Sequence, residues 1–381
     1  MRYGFRLPWR RAPVPETKAA HGFVAFQEEM QARWTGRSYE SLAREGFMRN
    51  PAAYRAMRLV SEAAAAVPLL LYDGAEELDT HPLLALLARP NGRMGGVDFL
   101  ETLYGHLLLS GNAYVEAVAL DGSLRELHLL RPDRMSVLAA ADGWPEAYEY
   151  WVGGRARRHA AEDGMLLHLR LFHPLDDRLG FPPLAAAQVA LDLSNAAAAW
   201  NKALLDNSAR PSGALVYQPK EGGNLTADQF ERLKSELEEG YSGPARAGRP
   251  LLLEGGLDWK AMSLSPKDMD FVEARNGAAR DIALAFGVPP MLLGIPGDNT
   301  YANYQEANRA FYRLTVLPMI GRTLSTLSAF LARWHGGDLR LVPDLDQVSA
   351  LSVERSEVWS RLKEADFLTE AEKRQAVGYS E

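Results

Sequence analysis

The sequence predicts an α+β fold, and three observations carry that prediction. Apolar residues recur at three- and four-residue spacing through several long segments, as in helices with one buried face. Between residues 112 and 170, short apolar or alternating runs are separated by Asp121-Gly122, Asp142-Gly143 and Gly153-Gly154, as in antiparallel strands joined by tight turns. The chain has 381 residues, 47% of them hydrophobic, which is enough to pack two or three units.

Residues 1–50 mix arginine with Pro, Gly and Ser and show no period, so they predict a partly ordered arm. Its start, "MRYGFRLPWRRAP", is basic but lacks the apolar centre of a signal peptide. From Pro51 to Ala66, Tyr54, Met57 and Val60–Ser61 mark one side of a helix. "VPLLLY" then reads as a buried strand closed by Asp73-Gly74. "HPLLALLARPN" is a short helix stopped at Pro90-Asn91-Gly92. A longer one carries Phe99, Leu103 and Leu107 and ends at Gly111. Strands follow in "AYVEAVAL", "LRELHLL", "MSVLAA", "AYEYWVGG" and "MLLHLRLF", so residues 51–180 form one α+β unit.

After "GFPPL" the character changes. Ala185–Asn207 predicts a long, alanine-rich helix with Leu191, Leu193, Trp200, Leu204 and Leu205. Strand candidates "GALVYQ" and "PLLLEGG" flank a helix at 227–239, where Thr226 and Gln229 form a capping box and Leu225 staples Phe230. A second long helix starts near Pro266, with Met269, Val272, Ala279, Ile282, Ala283 and Phe286 on one stripe. Gly277 inside it costs about 1 kcal/mol against alanine, which predicts close packing or bending there.

Next comes "AFGVPPMLLGIPGDNTYANYQEA", in which Pro289 and Pro290 are expected to end the helix. Gly294, Pro296, Gly297, Asp298 and Asn299 are turn residues that allow the segment to shift between fixed helices. Read alone, it is a helix–helix connector. The third long helix is expected to begin after Asn303, capped by that residue with Glu306 reaching back. It carries Phe311, Leu314, Leu317, Leu324, Leu327 and Leu331, with a kink at Pro318. The tail ends in a helix at Glu370–Ala376, boxed by Thr369 and Glu372.

Little chemistry is encoded. With a net charge of −7 the chain does not wrap nucleic acid tightly, although brief contact with sliding DNA stays compatible. It has no cysteine, which excludes disulfides, zinc-thiolate sites and thiol nucleophiles. No apolar run reaches the ~18 residues that span a bilayer, so no membrane is expected. Phosphate-cradling glycine motifs and the G-x-S-x-G elbow are missing, and Ser360–Lys363 matches S-x-x-K without partner motifs. His168 and His173 fall on opposite faces of a strand and read as structural. No catalytic residue, metal or cofactor is predicted.

Six stretches carry a resemblance: "NPAAYRAMRLVSEAAAAVPLLLY", "HPLLALLARPNGRMGGVDFLETLYGHLLLSGNAYVEA", "GFPPLAAAQVAL", "NSARPSGALV", "LLLEGGLDWKAMSLSPKDMDFVEARNGAARDIALAFGVPPMLLG" and "TYANYQEANRAFYRLTVLPMI". In this order, over about residues 50–340, the chain resembles the HK97-type portal proteins of tailed phages. Its shortness also resembles the portals of gene transfer agents, phage-like particles that package host DNA.

The resemblance implies a subunit with an arm at 1–50 and an α/β wing at 51–184. A stem helix at 185–208, a small α/β clip at 209–265 and a second stem helix at 266–287 would follow. A tunnel loop at 288–303, a long kinked wing helix at 304–339 and a short helical crown at 340–381 complete the map. It implies a ring of twelve copies at one vertex of a virion or phage-like particle, assembled in the host cytoplasm. Its implied partners are double-stranded DNA in the channel, the terminase large subunit, a head–tail adaptor and the major capsid protein. The loop residues Pro289, Pro290, Gly294, Pro296, Gly297, Asp298 and Asn299 would line the narrowest part of the channel. Lys267, Arg275, Arg280 and Arg309 would repeat as rings of charge, or equally form salt bridges between subunits. Two rival classes stay open: another head–tail adaptor or capsid component, without long paired helices, and a soluble α/β enzyme with a titratable cleft.

Overall fold

The computed structural model describes residue 36, residues 38–206, 213–217, 257–261, 271–297 and 300–377, and scattered positions between 226 and 235. All of them belong to one compact unit, residues 34–381. Helix α1 (Tyr39–Ser41) runs into a π-helical turn at Leu42–Met48, where the sequence predicted no element before Pro51. Asn50 then accepts the Ala53 N–H at 3.0 Å and starts α2 (Pro51–Ala65), with Pro51 in the first turn, where no donor is needed.

Strands β1 (Leu69–Asp73) and β2 (Glu76–Glu77) turn at Asp73-Gly74 and lead through α3 (Pro82–Ala88) to α4 (Gly96–Ser110). Gly111, with φ of 76°, ends α4 as predicted. Six strands follow: β3 (Asn112–Leu120), β4 (Ser123–Leu130), β5 (Met135–Ala139), β6 (Pro145–Val152), β7 (Arg155–Ala160) and β8 (Leu166–Arg170). They make two antiparallel sheets, ordered β4-β3-β8 and β5-β6-β7. Strand β7 was not predicted because "RARRHA" has no apolar alternation. It is a charged edge strand, which resists pairing with other chains.

The predicted helix at Ala185–Asn207 is two elements, α5 (Pro183–Ala186) and α6 (Gln188–Asp206), broken at Ala187; Asn207 lies outside the described residues. Strands β9 (Gly213–Tyr217) and β10 (Leu257–Ala261) pair antiparallel. Between them, the predicted capping box is present. The Gln229 N–H donates to Thr226 Oγ1 at 3.3 Å and the Thr226 N–H to Gln229 Oε1 at 3.0 Å. Leu225 and Phe230 lie outside the described residues.

Helix α7 (Phe271–Ala285) packs along α6. Helix α8 (Tyr301–Phe311), a π-helical turn at Tyr312–Val316 and α9 (Leu317–His335) form one long helix. Its widened turn sits just before Pro318, at the predicted kink. Strand β11 (Leu339–Pro343), also unpredicted, returns to β1 and pairs Leu341 with Leu71. Helices α10 (Ser352–Glu364) and α11 (Glu370–Val377) close the chain. The box at Thr369 is present, its N–H donating to Glu372 Oε2 at 2.8 Å.

The core lies where α2, α4 and α9 meet. Met57 and Val60 of α2, Leu103 and Tyr104 of α4, and Ile320, Leu324, Leu327 and Leu331 of α9 are all buried. By length and composition the helix Ala302–His335 is apolar enough to cross a membrane, which corrects the expectation that no segment is. Its apolar stripe is buried in this core. Leu314, placed on that stripe by its spacing, is exposed instead, because the π-helical turn rotates the residues around it.

Candidate functional site

Among the described residues between Ala285 and Tyr301, four points hold the chain. The first is the end of α7. Gly287, with φ of 64°, donates its N–H to Leu284 O at 3.0 Å, and the Val288 N–H reaches Ala283 O at 2.9 Å. These two bonds form a Schellman closure, and the buried Val288 completes it. Pro289 and Pro290 therefore follow a helix already closed by glycine, which corrects the expectation that they end it. The prediction failed because proline outranked the glycine before it as a stop signal.

The second point is Thr315, whose hydroxyl donates to the Gly287 carbonyl at 2.6 Å. The third is another Schellman closure after the 3₁₀ turn Pro290–Leu293. There Gly294, with φ of 71°, donates to Met291 O at 3.1 Å, and the Ile295 N–H reaches Pro290 O at 3.2 Å. Ile295 is buried. The fourth is Arg280, whose Nη2 donates to the Pro296 carbonyl at 2.7 Å.

Helix α8 then starts at Thr300, which accepts the Asn303 N–H at 3.3 Å. This corrects the expected cap at Asn303. Thr300 is a capping residue three positions earlier, and Glu306 pairs with Arg309 instead.

Of the predicted loop residues, Pro289, Pro290, Gly294, Pro296 and Gly297 lie in this tied segment. Asp298, Asn299 and Lys267 lie outside the described residues. The predicted cations separate. Arg275 and Arg280 are exposed on α7, about 140° apart around the helix. Arg309 sits on α8, paired with Glu306 and 3.7 Å from Glu354, which also meets Arg313 at 3.7 Å. Beside the segment is a groove of about 560 Å³ walled by Leu284, Pro289, Pro290, Phe311 and Leu314. Leu284 and Leu314 are 78% and 68% exposed there.

A second set of contacts fixes the turn that leads into α5. Gly111 and Gly180 touch backbone to backbone, and a Cβ on Gly180 would fall 2.0 Å from Gly111 O. Asn112 Oδ1 accepts the Gly180 N–H at 2.7 Å, and the Leu171 N–H donates to Gly111 O at 2.8 Å. His168 Nε2 lies 2.9 Å from the same Oδ1 and so must carry the proton. Its ring stacks on Tyr114 with centroids 4.4 Å apart. Burial pushes His168 down to about 3, so it is neutral, and His173 meets Phe181 edge-to-face apart from it. The structural reading of both histidines holds. The lock joins β3 and β8 to the "GFPP" turn that enters α5.

Sequence reasoning missed Gly287, Thr315, Asn112 and Gly180 as positioning residues. Glycine followed within two residues by proline signals the first. For Thr315 and the Asn112–Gly180 contact, no local signal exists.

The family model described as phage portal protein matches residues 51–378. A protein of Rickettsia felis is 42% identical over 88% of this chain and 88% of its own length. The portal protein of Enterobacteria phage HK97 is 24% identical over 76% of this chain and 69% of its length. A chain in the neck of an empty gene transfer agent particle, computed with C6 symmetry, is 52% identical with a TM-score of 0.72. The match covers 91% of this chain and 95% of that one. In the neck of the native particle, computed with C12 symmetry, the TM-score is 0.70 at the same identity, over 91% and 94% of the two chains. The resemblance read from six stretches of sequence is thus shown across the folded unit, and the chain belongs to the phage portal protein family.

Proposed function

We propose that the chain is one subunit of a ring at a single vertex of a phage-like particle of the gene transfer agent type. The observation that carries this is the 52% identity, over 91% of the chain, to a subunit in a particle neck with C12 and C6 symmetry. The ring is the channel through which double-stranded DNA is packaged and leaves. It docks the terminase motor during filling and a head–tail adaptor afterwards, and sits against the major capsid protein. Motion comes from the separate motor; this chain catalyses nothing.

In this reading residues 51–184 are the wing, α6 and α7 the stem, and 209–265 the clip between them. The tunnel loop, expected at 288–303, ends where α8 begins at Tyr301, and the long wing helix, expected at 304–339, runs to His335. The crown, expected at 340–381, begins only after β11, which joins the wing sheet through β1. The packing of α6 along α7 supports the stem, and disfavours an adaptor or capsid component without such a pair. Arg275, Arg280 and Arg309, with Lys267 from outside the described residues, are the candidates for rings of charge towards the DNA or for salt bridges between subunits. The roughly 140° between Arg275 and Arg280 divides these roles between them. Arg309 adds least, since Glu306 and Glu354 dilute it.

Changing Arg280 to Glu is expected to alter the length or yield of packaged DNA while rings still form. Mass measurement of the purified assembly, with images down its axis, tests the ring itself. Lone chains, or particles without a central hole, would end this reading.

A further inference from the structure

We infer that Arg280 and Thr315 form a side-chain clamp that sets the position of the segment between α7 and α8, one side chain from each flanking helical element. Thr315 reaches back to the Gly287 carbonyl at 2.6 Å, and Arg280 reaches forward to the Pro296 carbonyl at 2.7 Å. The two grips enclose the segment 287–296.

The backbone explains why side chains are needed at these places. Among the described residues, backbone hydrogen bonds within the segment run as far as the Ile295 N–H. Pro296 has no N–H, so a helix-type closure cannot extend through it, and its carbonyl is held by a side chain instead. The planar guanidinium offers five donors in a rigid fork and holds such a carbonyl from a fixed direction. At the other end, the π-helical turn Tyr312–Val316 inserts the extra residue that brings the Thr315 hydroxyl onto Gly287. Gly287 has to lack a side chain there, because a Cβ would lie 2.6 Å from Thr315 Oγ1.

Arg280 is therefore a positioning residue before it is a charge offered to phosphate. Only the direction in which the clamp points, towards a channel, rests on the proposed ring.

Hydrogen–deuterium exchange on the full-length assembly, followed in peptides covering 286–297, tests the clamp. Arg280→Gln is expected to speed exchange at Gly294 and Ile295 about 5- to 10-fold, and Thr315→Val to do so at Gly287 and Val288. Arg275→Gln, which removes a charge from the same helix, is expected to stay within twofold of the parent protein. The clamp is overturned if Arg280→Gln or Thr315→Val leaves exchange within twofold, or if Arg275→Gln matches Arg280→Gln. Loss of DNA retention in Arg280→Gln at unchanged exchange overturns it too, because the residue then acts through charge alone. The mass of the assembly is read separately. Exchange that behaves as expected in an assembly that is no ring keeps the clamp and removes the ring.

Discussion

Gly287 and Gly294 occupy the same left-handed backbone region but face different surroundings. A Cβ at Gly287 meets Thr315, while one at Gly294 has no described atom within 4 Å. A side chain in that region costs about 1–2 kcal/mol by itself. Gly294→Ala is therefore expected to lose about 1 kcal/mol, and Gly287→Ala about 3 kcal/mol once crowding is added. Urea unfolding of both variants checks this, and equal losses would remove Thr315 from the account.

The histidines give a second residue-scale expectation. Burial holds His168 at about 3 and His106 at about 4, below the ordinary 6.5. The unfolded chain takes up both protons as pH falls through ~6.5, and the folded chain does not. Their contribution is complete above that value and shrinks below it, by up to ~1.4 kcal/mol per pH unit for each histidine. The thermal midpoint should drop from pH 6.5 to pH 4, and less steeply in His168→Gln. Parallel slopes would mean that His168 does not titrate this way.

Among the elements, α7 is the most informative. Gly277 was expected to mark close packing or a bend, yet no described atom lies within 4 Å of a Cβ placed there. Gly277→Ala should then raise the stability of the unassembled chain by about 0.5–1 kcal/mol. A loss instead would reveal a neighbour packed on that face. Elements with a strong period or a local cap were legible. Helix α4 and its terminal Gly111, the hairpin β3–β4 and the boxes at Thr226 and Thr369 all stand as read. Strands β7 and β11 were not, because their stability comes from the neighbouring strand rather than from a pattern of their own. The start of α8 was misread by three residues, since Thr300 and Asn303 are both good caps and only packing selects between them.

For the whole molecule, the exposed leucines Leu284 and Leu314 wall one groove and, like Phe172, Leu175 and Phe367 elsewhere, are apolar surface that a single chain leaves uncovered. A ring would cover them with neighbouring copies, burying apolar surface at the centre of each contact. Leu284→Glu and Leu314→Glu should each reduce ring formation strongly while leaving the unfolding midpoint of the chain nearly unchanged. Light scattering and thermal unfolding together separate those effects, and rings of normal mass in both variants would place the interface elsewhere. The arginine pairs around Glu354 are half-exposed and contribute little to stability, so their loss should not mimic this result.

By itself the sequence determined the order of the strongly patterned elements, most of their caps and turns, the lack of reactive motifs and the family. Each is written in residues within a few positions of one another, or in ordered stretches that can be compared directly. Tertiary structure alone decided that Leu71 pairs with Leu341, that Gly111 touches Gly180, and that Arg280 and Thr315 hold the two ends of the segment after α7. Such contacts join residues far apart in the chain. They are chosen by which surfaces can close against each other without leaving a backbone group unpaired, and no local pattern records that choice.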